Sequence, residues 1–91
     1  MEVHYEKAKI GDDVHVVALL PSDVFSNVKA QTRVAEALRR RFKVSSVHFV
    51  DIGSGLPVYS TPPGSPPVDY GHFNRLLPRD RSSWPTCEIE L

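Results

Sequence analysis

The sequence predicts a small α+β domain: a two-layer β-β-α-β sheet with one amphipathic helix on one face, then a long Pro-rich segment and a C-terminal edge strand. Three observations carry that expectation. Apolar residues recur at a helical period between Ser22 and Lys43. Two runs rich in β-branched residues, from Val14 to Leu20 and from Val44 to Ile52, flank that segment. Six of the eight prolines then fall between Pro57 and Pro78. Ninety-one residues make one domain, because a chain this short builds a single modest core.

Val3 to Ala8 alternates, with Val3 and Tyr5 on one side and His4 and Glu6 on the other, as a half-exposed strand does. Gly11-Asp12-Asp13 supplies turn chemistry. Val14 to Leu20 is apolar on both faces apart from His15, the pattern of a central strand covered on two sides. A hairpin over residues 3–20 follows.

Val24, Val28, Ala35, Leu38 and Phe42 fall within one stripe at about 100° per residue and predict one amphipathic helix over 22–43. Ser22 or Asp23, after Pro21, is placed to cap it. Arg39, Arg40, Arg41 and Lys43 occupy its last turns, where the helix dipole favours cations. Val44 to Ile52 reads as a third strand. A strand, helix and strand joined by short connections make a crossover with the strands parallel.

From Gly53 to Pro85 the chain reads as irregular, with at best a short edge strand near Leu56–Ser60, because Pro57 donates nothing to a ladder. Long connections of this kind are functional or disordered, and the aromatics here argue against disorder. The closing Thr86-Cys87-Glu88-Ile89-Glu90-Leu91 alternates strictly, which puts Cys87, Ile89 and Leu91 inward on an edge strand. One helix covers one face of the sheet, yet strands two and three are apolar on both. The second face therefore requires the aromatic segment folded back over it, or another copy of the protein.

Composition narrows the function classes. Eleven basic and eleven acidic residues cancel, so no global field draws the chain to nucleic acid or membrane. Cys87 is the one cysteine, which excludes an intrachain disulfide and fits a reducing compartment. The longest apolar run is far below the roughly 20 residues that span a bilayer. Met1-Glu2-Val3-His4 lacks the basic start of a secretory leader. The expected location is cytoplasmic.

No catalytic, metal or cofactor-binding residue is assigned. His4 and His15 lie on opposite arms of the hairpin, four to six positions apart in register, well over ~10 Å at a strand's rise. His48 comes beside His15 if the strands are parallel, but two histidines make an incomplete metal site. Ser54 in Gly53-Ser54-Gly55 lacks the following helix that a nucleophile elbow or phosphate cradle needs. An enzyme, the third-ranked class, would hold a small ligand near that turn.

The leading expectation is a non-catalytic interaction protein that binds a protein partner, or itself as a homo-oligomer. It would use the apolar sheet face and the aromatics Tyr59, Tyr70, Phe73 and Trp84, which serve as core plugs or contact anchors. The alternative is a nucleic-acid accessory protein using Lys29, Arg33, Arg39, Arg40 and Arg41. The bland account of that stripe is a solvated face with Glu36 spaced to pair with Arg33 and Arg40, and no stacking aromatic interleaves it. Pro63-Gly64-Ser65-Pro66 fits a minimal Pro-x-x-Pro ligand, although a stiff connector explains it more simply.

Overall fold

A computed structural model describes residues 1–44, 46–51, 59–60 and 68–90. The alternating N-terminal stretch forms β1 (Glu2–Ile10), which turns through Gly11 and Asp12 into β2 (Asp13–Leu20). Their antiparallel register pairs Ile10 with Asp13 and Ala8 with His15. Gly11 takes the tight reversal at φ +61°, a conformation that side chains resist.

The expected single helix is two. Pro21 opens a short turn, α1 (Ser22–Phe25), and the backbone then extends at Asn27 before α2 (Val28–Arg41) begins. The cap falls at Asn27 rather than Ser22 or Asp23: its side chain accepts the Ala30 N–H at 3.1 Å. Ser22 instead donates its hydroxyl to Asp51 at 2.7 Å, tying α1 to the end of β3. The buried stripe shifts accordingly, to Gln31, Val34, Ala35 and Leu38. Val28 stands 63% exposed, and Val24 and Phe25 of α1 pack on the core in its stead. Gln31, a polar residue on the apolar stripe, donates its amide to the Phe25 carbonyl and so fastens α1 to α2.

β3 (Ser46–Asp51) lies parallel to β2, with His15 opposite Ser46 and Val17 opposite His48. The short β4 (Tyr59–Ser60) pairs antiparallel with β3. β5 (Thr86–Glu88) pairs antiparallel with the start of β1. The strand order is β4-β3-β2-β1-β5, a mixed sheet with the parallel pair at its centre. Cys87 and Ile89 point inward, while Glu88 and Glu90 face water. Beyond His4 the outer edge of β1 has no strand beside it among the described residues. Tyr5 N–H reaches Pro85 on that side, and the Glu6 carboxylate accepts the Lys7 N–H there at 3.0 Å.

The two faces carry separate cores. On one, Val16, Ala18, Leu20, Val47 and Phe49 meet Val34, Ala35 and Leu38 of α2. On the other, Ala8, Val17, Leu19 and Val50 meet Phe73, Leu77 and Trp84. The second cover corrects the irregular reading of 53–85. Tyr70–Leu76 is a helix, α3, capped by the Asp69 carboxylate on Gly71 N–H at 2.9 Å. A 3₁₀ turn, Arg81–Ser83, follows, with Asp80 capping Ser82. Trp84 lies below this turn and donates its indole N–H to the Pro78 carbonyl at 3.0 Å. The aromatic segment therefore folds back over the sheet. Ile52, Gly53–Gly55, Pro57, Pro63–Pro66 and Leu91 lie outside the described residues.

Candidate functional site

Parallel pairing of β2 and β3 brings three polar side chains to one spot beneath α3. His15 Nδ1 lies 2.5 Å from Ser46 Oγ and 3.1 Å from His48 Nε2, and Ser46 Oγ lies 2.8 Å from His48 Nε2. All three residues are buried, His48 completely. The alternation of strands explains the gathering: every second residue of β3 faces α3, so Ser46 and His48 share the face that carries His15. Phe73 closes the cluster, its ring centroid 4.8 Å from that of His48 and 5.5 Å from that of His15. Tyr70 adds an edge contact to His48 at 5.7 Å.

Hydrogen bonding here is incomplete. The Ser46 hydroxyl relays between the two rings, donating to one while accepting from the other. His48 Nδ1 has no partner among the described residues. Burial lowers the His48 imidazole from its ordinary 6.5 to about 4, and the neighbouring His15 pushes the same way. His48 is therefore held neutral at ordinary pH. Among the described residues no three potential ligands gather to hold a metal ion. His4 stands apart, four residues along β1 from the partner of His15, with its Nδ1 donating to the Trp84 carbonyl at 3.3 Å.

The second feature is a surface groove of about 530 Å³ where β4 meets the chain from α3 into the 3₁₀ turn. Tyr59, Asn74, Leu77, Arg79, Asp80, Arg81 and Trp84 are among the residues that line it. Tyr59 stacks on Tyr70 with centroids 4.6 Å apart and planes 7° from parallel, and its hydroxyl donates to Asn74 Oδ1. Burial pushes the Tyr59 phenol up, with Arg81 opposing and Tyr70 adding. Asp80 is already engaged, accepting from the Ser82 amide and hydroxyl. Arg79 and Arg81 form no ion pair among the described residues.

The four aromatics singled out from the sequence thus divide. Phe73 and Trp84 are core plugs, 0% and 4% exposed, and are withdrawn from any role as surface anchors by the apolar face that they cover. Tyr59 and Tyr70 are half-buried at the groove and above the histidines. The apolar sheet face once available for a partner is occupied by the chain's own residues. Lys29, Arg33, Arg39, Arg40 and Arg41 are all exposed on α2, and Arg40 is 4.0 Å from Glu36. Arg79 and Arg81 did not stand out beforehand, because only the 3₁₀ turn sets them beside Tyr59. Compared with known proteins, the chain matches no family model, and no curated protein or solved structure is significantly similar to it.

Proposed function

We propose that the chain is a non-catalytic interaction domain that binds an acidic segment of a protein partner in the groove at Tyr59, Arg79 and Arg81. One observation carries this reading: two arginines without acidic partners among the described residues stand in the groove with a tyrosine ring and the edge of Trp84. Arginine and large aromatics dominate the energetics of protein interfaces, and a guanidinium takes carboxylates in bidentate geometry. Two arginines against one carboxylate, Asp80, leave the groove net positive.

Acidic peptides carrying one aromatic residue, titrated against the fluorescence of Trp84, test it. Binding is expected to weaken with salt and to fall at least about ten-fold in the Arg79→Glu/Arg81→Glu variant. Undiminished binding by that variant, or no binding by any peptide at low salt, rejects the groove.

A second reading rests on the five exposed bases of α2: a nucleic-acid accessory role, with Lys29, Arg33 and Arg40 on one stripe. Retention on heparin that falls steeply with salt, and is lost on Arg33→Glu/Arg40→Glu, would favour it over the groove.

A further inference from the structure

We infer that the His15–Ser46–His48 cluster is an acid-sensitive latch, which holds α3 on the sheet while neutral and releases it when His48 takes a proton. The inference stands apart from the partner reading, although Asn74 and Leu77 would leave the groove with α3.

Proton bookkeeping at the cluster comes first. The three polar atoms lie within 3.1 Å of one another, and one hydroxyl serves both rings. With His48 neutral, its Nε2 takes part in that relay and only Nδ1 is left over. A protonated His48 carries N–H on both nitrogens. The Nδ1–H then has no acceptor among the described residues, while Nε2–H is spent on Ser46 Oγ, which passes its own proton to His15. A buried charge in this state requires water.

Among the described residues, α3 is the cover least firmly tied to the sheet. β2 and β3 are locked by a continuous parallel ladder over six residue pairs. α3 has seven residues and, among the described residues, makes no backbone hydrogen bond to any strand. Apolar contacts of Phe73 and Leu77, the Tyr59–Tyr70 stack and the Tyr59–Asn74 bond hold it in place.

Among the described residues the charge felt at His48 is that of His15, which opposes the proton. On β2 the facing group is His15, and Asp13 sits exposed at the strand's start. On β1 this face carries Glu6, opposite Val17 with its oxygen on the Lys7 amide, and further along His4, bonded to the Trp84 carbonyl, and Glu2. β4 offers Tyr59, with Arg81 beside it. α3 offers Tyr70, and its His72 and Arg75 bond each other at 3.4 Å. No carboxylate forms an ion pair with His48 among the described residues.

The sign follows from the depressed folded value. The open chain binds the proton near 6.5 and the closed one near 4, so the closed form is fully favoured above 6.5. Opening then rises by up to about ten-fold per pH unit as pH falls toward 4, and levels off below it.

Amide hydrogen exchange of the whole chain from pH 7 to 4.5, corrected for intrinsic rates, tests this together with an NMR titration of the His48 ring. Protection of α3 is expected to drop several-fold to ten-fold per unit below pH 6.5, while β2 and β3 keep theirs. His48→Gln should flatten that dependence. If His48→Gln does not fold, the wild-type ring titration decides in its place. Constant protection of α3 overturns the latch, as does simultaneous loss of β2 and β3 protection, or an unchanged pH dependence in folded His48→Gln. A His48 that titrates at an ordinary value with α3 still protected overturns it as well.

Discussion

At the scale of single residues, a few side chains complete bonds that the backbone leaves open. Asn27 accepts the Ala30 N–H at the start of α2, so Asn27→Ala should cost about 1 kcal/mol in urea unfolding. An unchanged midpoint would show that water serves that amide equally well. Cys87 faces the core between β5 and α2. Burial pushes its thiol up, and Glu88 adds to this while Arg41 opposes it. The thiol is therefore protonated and shielded, and the folded chain should react with a disulfide reagent at pH 8 about a hundred-fold more slowly than the unfolded chain. Equal rates would mean that β5 frays from the edge.

At the scale of elements, the strands were legible and the second cover was not. Alternation and β-branching mark β1, β2, β3 and β5 because each strand has a defined inward side. The break between α1 and α2 was written in Ser26-Asn27, residues that cap helices more readily than they continue them, but the apolar stripe runs across it and conceals it. α3 escaped because seven residues around one buried Phe73 leave no helical period to read. The histidine cluster was half-visible. Parallel pairing brings His48 beside His15, as the sequence allowed, while Ser46 joins them only through the register. Because Phe73 anchors α3, Phe73→Ala should destabilise the domain by about 3–5 kcal/mol and raise binding of a hydrophobic dye. A loss below ~1 kcal/mol would show that α3 contributes little to the second core.

At the scale of the whole molecule, the sheet is covered on both faces by its own chain, and the only large apolar side chains exposed among the described residues are Val28 and Leu76. The apolar argument for self-pairing therefore lapses. Light scattering at micromolar concentration should give a mass near 10.2 kDa, and a value near twice that would return the search to α2 or the sheet edges. Of those edges, the one along β1 matters most for handling the protein. The Glu6 carboxylate sits on the Lys7 amide, and Lys7 and Lys9 bring charge to the same border. Replacing these three with threonine or valine would leave a bare hydrogen-bonding rim, on which a second molecule could lay its own backbone and offer the next. Prolonged storage of such a variant should yield fibrils where the native chain stays clear.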